Sequence, residues 1–346
     1  MSTTKTSSGS LRSYLITRLL LVIPMVWILV TLVFFVLRVI GDPIKSAFAQ
    51  LPPAEIARRR HAAGLDRPLL SQYWDYLKGV AHFDFGQSLT DHTPVSDILK
   101  INGAATLELT FWAVLVALVV GIPLGRVAAR YRDRFPDVAL RLFGVLCYAI
   151  PVFFVGLLLK LLFAIQLGWL PATGRATPTA EIAINDVSPN THIYLINAIL
   201  YGDNSYVWDV IKHTILPAIT LGLLVAGIFL RLVRVNLLQT LRSDYVEAAR
   251  ARGVREGRVV RKHAFKNAMI PVVTVMGLQI ATLLGGAVLT ETTFEWQGIG
   301  YKLYFYLQHN DYIAVQGIVT AIAVIVALIS FLIDVIAAIV DPRVRY

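Results

Sequence analysis

The sequence predicts an all-α membrane protein with six transmembrane helices, and three observations carry that prediction. The 346 residues are 56% hydrophobic and only 16% charged, with a mean hydropathy of +0.65, more apolar surface than a soluble domain of ordinary composition carries. The apolar residues gather into six runs long enough to cross about 30 Å of hydrocarbon as helix, at residues 14–38, 104–128, 138–165, 214–233, 271–290 and 319–340. The basic residues gather in alternate connecting segments. With the amino terminus inside, the inner segments hold 20 Lys and Arg against 6 Asp and Glu, and the outer ones hold 10 against 14. The positive-inside rule then puts both termini on the cytoplasmic side.

Residues 1–13 form a cytoplasmic tail whose Ser/Thr-rich start has the composition of a disordered segment. The first run, 14–38, follows Lys5 and Arg12 and contains Arg18, and Ala47-Phe48-Ala49 has a small-x-small form. The apolar stretch is too long for a cleaved signal and reads as an uncleaved anchor. Residues 39–103 hold prolines at 43, 52, 53, 68 and 94. "PPAEIARRRHAAGL" and "RPLLSQYWDYLKGV" each start like a helix behind proline and stop at Gly64 and Gly79, which predicts a small helical outer cap. Cys147, the one cysteine, lies inside the third run, which excludes an intrachain disulfide and a thiolate metal cluster and leaves a packing role. The second outer segment, 166–213, has a moderately apolar middle, "THIYLINAIL", too short to span; it lies at the interface or packs on a partner.

Pro24, Pro123, Pro151, Pro217 and Pro271 fall within or at the edges of runs. Neighbouring helices re-satisfy the freed carbonyls, or the kinks let spans bend. Adjacent Gly285 and Gly286 allow close backbone approach or a broken helix beside a pathway.

Between the fourth and fifth runs lies "EAARARGVREGRVVRKHAFKNAMIP", with seven basic residues and two Glu. Asp244 as N-cap and Glu247 three residues on have the form of a capping box. A short helix over 245–252 follows, about 12 Å long and unstable alone. Its expected apolar stripe is Leu237, Leu238, Leu241, Tyr245, Ala248 and Ala249, and Gly253 ends it. Alanines let such a rod enter a cleft that Leu or Phe would hold it away from. A second helix, 254–266, leads to Pro271 in the first turn of the fifth span. Glu247 either completes the cap or faces a basic partner, and the arginines also suit an anionic membrane surface.

"DYVEAARARGV" with "KHAFKNAMIP" resembles the EAA signature of ABC importer membrane subunits, the loop that contacts the ATPase. "YLITRLLLVIPMVWILVTLVFFVLR", "GLDRPLLSQYWDYL", "IPVFFVGLLL", "LGWLPATG", "LPAITL", "LLGGAVLTETTFEWQGIG" and "DYIAVQG" extend the resemblance over nearly the whole chain, to the B-type permease subunits of dipeptide, oligopeptide and nickel importers. Two features depart from the pattern: Gln297 stands where proline is expected, and the segment 175–213 is longer than usual.

The resemblance implies a type I ABC importer permease fold, a core over 104–340 with the EAA loop at 234–268, and a short cytoplasmic tail, 341–346. It implies ATPase coupling through Asp244, Tyr245, Glu247, Ala248, Ala249, Arg252 and Gly253, a pathway wall at Gly285, Gly286 and Thr290, and a periplasmic gate or binding-protein contact at Glu291, Trp296 and Gly298. It implies a bacterial inner membrane, a second related permease, two ATPase subunits and a periplasmic or lipid-anchored binding protein. No cofactor is expected on this chain; ATP and Mg would be held by the ATPases, since there is no G-x-x-x-x-G-K-[ST] loop. The cargo stays open among dipeptides, oligopeptides, glutathione-like peptides and nickel chelates.

Three rivals are weighed. A proton-coupled secondary transporter needs buried ionisable groups, for which Glu108 and Asp334 are the candidates, while Arg38 and Lys160 can snorkel. An intramembrane enzyme lacks support: there is no G-x-S-x-G or H-E-x-x-H, and His82, His92, His192 and His213 have no metal spacing. Nucleic acid is not an expected partner, because the positive charge tracks membrane sidedness.

Overall fold

A computed structural model describes residues 11–340, apart from some side chains near its two ends and in the fifth run. Among the described residues the regular structure is helical, with one isolated bridge between Gln87 and Pro94.

Helix α1, Leu11–Ile40, contains Pro24 and leaves Leu20, Ile23 and Trp27 more than half exposed, as a helix facing lipid does. Three short helices make the expected cap: α2, Pro43–Ala47, α3, Pro53–Ala62, and α4, Leu69–Ala81. Asp42 caps α2, its Oδ1 accepting from the Ile44 and Lys45 amides at 3.0 and 3.1 Å. Helix α4 runs two residues past the predicted stop at Gly79. There the Asp84 carbonyl folds so close that a Cβ would sit 2.9 Å from it.

The centre of the molecule is a parallel pair, α5, Val95–Arg130, and α10, Asn204–Thr240, in which Ala113 lies against Gly222 and Gly125 against Leu230. Each is roughly 55 Å long, well beyond the hydrocarbon thickness. Leu109, Ala113 and Ala117 on α5 meet Leu221, Val225 and Phe229 on α10, and the four-residue spacing of both sets marks the facing stripes. Glycine brings the backbones together: a Cβ on Gly121, Gly125 or Gly222 would lie 2.7 Å from the carbonyl of Ala226, Leu230 or Ala113.

The third run is not one straight span. Helix α6, Phe135–Ala149, is followed by α7, Val152–Leu159, which continues as a wider turn over Lys160–Gln166; the two parts meet at 103°. Pro151 causes the break, because the residue before proline is pushed out of the helical region, and Ile150 is extended at φ −82°, ψ 130°.

The long segment before α10 folds into α8, Pro178–Asn185, and α9, Tyr194–Tyr201. Tyr194 and Ala198 pack with Ala176, Ala180, Ile184 and Val210, so the apolar middle is anchored on its own chain. After α10 come α11, Asp244–Ala251, α12, Glu256–Arg258, and a wide helical turn, Val259–Ala264, that feeds α13, Phe265–Gly286. The single second helix predicted at 254–266 is thus two pieces. Pro271 lies inside α13 and not in its first turn, because the helix starts six residues upstream. Helix α13 stops at Gly286, and α14, Val288–Thr293, α15, Ile299–Gln308, and α16, Tyr312–Val340, complete the chain.

Four helices, α1, α5, α10 and α16, are each long and apolar enough to cross a bilayer, and the bent α6/α7 pair makes five. With 22 residues, α13 reaches about 33 Å by length. Asp334, named above as a rival's coupling site, has a side chain outside the described residues.

Candidate functional site

Two sites stand at opposite ends of the α5/α10 pair. At the end reached by Arg130 and Thr240, α11 lies on a small apolar cluster in which Val246 and Ala249 pack with Ala129, Leu237, Val259, Ala264 and Ala268. Asp244, Glu247, Ala248 and Ala251 are all exposed, and their spacing puts them on one face of the rod. The stripe predicted from the sequence therefore needs correction: Tyr245 and Ala248 are exposed, while Val246, missed there, is fully buried. Ala249 fixes the rod to its own chain, leaving Ala248 and Ala251 as the small residues offered outward.

The cap also differs from the prediction. Ser243 is the extended residue before the helix, at φ −80°, ψ 148°, and Asp244 is already helical. Ser243 Oγ donates to the Thr240 carbonyl at 2.6 Å, so it makes no side-chain cap, and no capping box forms. Glu247 stands exposed and makes no hydrogen bond to the cap. At the other end the prediction holds in detail. Gly253 is left-handed at φ +75°; its amide donates to the Arg250 carbonyl at 2.8 Å, and the Val254 amide to the Ala249 carbonyl at 3.3 Å. This is a Schellman closure, which needs glycine at its left-handed position.

Arg250 braces the loop. Its Nε and Nη2 donate to both carboxylate oxygens of Glu256 at 3.0 and 2.8 Å, and Nη1 to the Leu241 carbonyl at 3.2 Å. The same bonds hold the Glu256 carboxyl below the usual carboxylate range. Tyr245 accepts from Asn267 Nδ2 at 2.9 Å, joining the rod to α13. Arg252 is exposed, its Nε donating to the Ala248 carbonyl at 3.2 Å. Nearby, Arg234 grips the fully buried Asp137 through two bonds of 2.6 and 2.7 Å, tying α10 to the start of α6.

At the opposite end, Glu291 is fully buried and gathers three segments. It accepts from Thr106 Oγ1 of α5 at 2.7 Å and from the Tyr301 amide of α15 at 2.9 Å. Thr106 Oγ1 in turn accepts from the Ile299 amide at 2.9 Å. The Glu291 carboxylate lies against the Cα of Gly298, where any Cβ would overlap it. Trp296, also wholly buried, donates from Nε1 to the Ala105 carbonyl at 2.9 Å. Both side chains are buried within this chain and frame the turn from within. Thr290 is buried beside them, with no partner for its hydroxyl among the described residues. Gly285 and Gly286 mark the break between α13 and α14. Gln297 uses its carbonyl, which accepts from Asn102 Nδ2 at 2.8 Å.

Glu108 is not a free ionisable group. Arg175 Nη2 donates to its Oε2 at 2.7 Å with both side chains almost fully buried, and the Tyr194 and Leu195 amides at the start of α9 donate to the same carboxylate at 3.2 and 2.9 Å. The guanidinium stacks over Tyr194 at 3.6 Å and lies 5.4 Å from Trp296. Burial pushes the Tyr194 phenol, which donates to Glu181, up to about 12. One arginine thus fastens the long 175–213 segment to α5 and to the Trp296 turn. Lys160 turns inward and donates to the Thr293 carbonyl at 3.1 Å.

The profile of a family described as binding-protein-dependent transport system inner membrane component matches residues 121–346, and that of the corresponding N-terminal component matches residues 11–110. The chain is 37% identical to the dipeptide transport system permease protein DppB of Alkalihalophilus pseudofirmus, over 96% of this chain and 99% of the relative. It is 38% identical to the di/tripeptide transport system permease protein DppB of Pseudomonas aeruginosa and 35% to the glutathione transport system permease protein GsiC of Escherichia coli, with the same coverage. Among solved structures, the inward-facing MetNI methionine ABC transporter superposes with a TM-score of 0.50 at 19% identity, covering 70% of this chain and 96% of that one, a likeness of fold alone. The exposed rod on a buried base, the bent spans and these matches lead to one assignment: the chain belongs to the binding-protein-dependent transport system inner membrane components, as a multi-pass permease of the ABC importer type.

Proposed function

We propose that this chain forms half of the translocation pathway of an ATP-driven peptide importer, paired with a second related permease above two ATPase subunits and served by a substrate-binding protein. The observation that carries this reading is α11. Its buried face is fixed to the chain by Val246 and Ala249, while Asp244, Glu247, Ala248 and Ala251 form an exposed face with small residues at its centre. Such a rod is a lever for an external engine: it is too short to stand alone, and it rests on residues of α5, α10 and α13. Dipeptide or di/tripeptide cargo follows the names of the relatives with 37–38% identity. A proton-coupled carrier is disfavoured because Glu108 is neutralised by Arg175.

Reconstituted vesicles test this. With the partner permease, ATPases and binding protein present, dipeptide uptake requires ATP; uptake by this chain alone, driven by a proton gradient, overturns the reading. Sidedness is checked with cysteines introduced at positions 58 and 258. The first is labelled from outside and the second only after permeabilisation if both termini face the cytoplasm, and the reverse pattern refutes that topology.

A further inference from the structure

The geometry points to a binding site for an anionic phospholipid in the groove between α6 and α10. The groove has a volume of about 750 Å³, within the usual range for a small-molecule site. Its floor is the crossing of Gly144 and Gly227, where a Cβ on Gly227 would sit 2.8 Å from the Gly144 carbonyl; glycines at this point leave the space above them open. Val145, Tyr148 and Ile228 line one part, and Arg141, Arg231 and Arg234 line the other.

The two helices run antiparallel here, so the polar and apolar parts segregate along the groove. The arginines lie toward the α11 end, and Tyr148 stands seven residues, about 10 Å, deeper than Arg141. That order matches a phospholipid, with the phosphate at the rim and an acyl chain toward the membrane centre.

The charge at the rim is not balanced by the protein. Among the described residues Asp137 is the one carboxylate in ion-pair contact with these arginines, and Arg234 occupies it with two short bonds; Asp133 acts on Arg234 only at longer range and is itself paired with Arg132. Arg141 is half exposed and only 3.8 Å from the same carboxylate. Arg231 is exposed and has no partner among the described residues. Three guanidinium groups against one carboxylate leave two positive charges beside an apolar trough, and a bilayer supplies the complement. The occupant is a lipid and not a helix of a neighbouring subunit because an apolar helix face would bury those two charges unpaired.

The test uses the assembled transporter in nanodiscs of equal phosphatidylglycerol and phosphatidylcholine, followed by delipidation and native mass spectrometry. The wild type should retain phosphatidylglycerol in preference. Arg141→Gln with Arg231→Gln should weaken retention about thirtyfold, a factor of about five for each arginine at an anionic surface. Arg130→Gln with Arg132→Gln, an equal charge change outside the groove, should not. Val145→Trp keeps every arginine, fills the trough and should also expel the lipid, which separates occupancy from folding. Excess inorganic phosphate should not compete. Unchanged retention in either groove variant, equal retention of phosphatidylcholine, displacement by phosphate, or a photo-crosslinker at position 145 that captures the second permease or a peptide would each overturn the site.

Discussion

Replacing Gly253 separates the backbone demand of the rod from its docking. The residue sits at φ +75° with nothing within 4 Å of the position a Cβ would take, so Gly253→Ala carries a conformational cost and no steric one. A non-glycine residue in the left-handed region costs about 1–2 kcal/mol, which corresponds to a roughly 5- to 30-fold shift toward the opened end of α11. Hydrogen exchange reads this directly at the Gly253 and Val254 amides, whose acceptors are the Arg250 and Ala249 carbonyls. Gly253→Asn should lose less, because asparagine tolerates this region. Gly253→Trp should match alanine in exchange yet abolish ATP-dependent uptake, since an indole beside the exposed face holds a partner away. Wild-type exchange in the alanine variant would refute the strain account, and uptake by the tryptophan variant equal to that of alanine would refute the docking.

Glu247→Ala should leave the thermal unfolding midpoint within the range of surface substitutions, about 0.5 kcal/mol, while hydrolysis becomes uncoupled from uptake; a parallel loss of both would return Glu247 to a structural role. Arg175→Met strips the partner from a buried carboxylate and should cost about 3–5 kcal/mol, with Glu108→Gln restoring part of it in a double-mutant cycle by thermal unfolding; additive losses would show that the two do not act as a pair. Gly298→Ala drives a methyl into the Glu291 carboxylate, which cannot swing away while Thr106 and the Tyr301 amide hold it. A destabilisation of about 1–3 kcal/mol is expected, and wild-type stability would mean the turn yields freely.

The spans and the rod were legible because they rest on local signals: apolar runs of bilayer length and a glycine at the helix end. What the sequence could not show depends on partners far apart along the chain. Glu108 reads as a stray membrane carboxylate until Arg175, 67 residues on, is placed against it. Thr106 has no signal at all, since its value comes from standing between Glu291 and the Ile299 amide. The α11 stripe failed for another reason. Tyr245 and Ala248 fit an apolar face as well as Val246 does, and only the cluster of Leu237, Val259 and Ala264 decides which residues turn inward. The bend at Pro151 was half visible: proline marked the position, but intramembrane helices often absorb proline, and periodicity alone gives no angle.

The same long-range contacts explain how a push on the rod can reach the far end. Leu237 of α10 and Ala129 of α5 belong to the rod's base, while Thr106 and Glu108 of α5 hold the Glu291 turn and the α9 segment. From Glu108 to Ala129 is 21 residues, about 32 Å of helix. Over much of that length the α5 and α10 backbones touch at Gly121, Gly125 and Gly222, too closely to slide without collision. Such packing favours movement of the pair as one bar, and the interruptions in the neighbouring helices are the 103° bend between α6 and α7 and the break between α13 and α14. On the proposed role of α11, a stiff bar flanked by these two breaks would tilt as a unit, and displacement of α11 would reach the Trp296 turn and the 175–213 segment together.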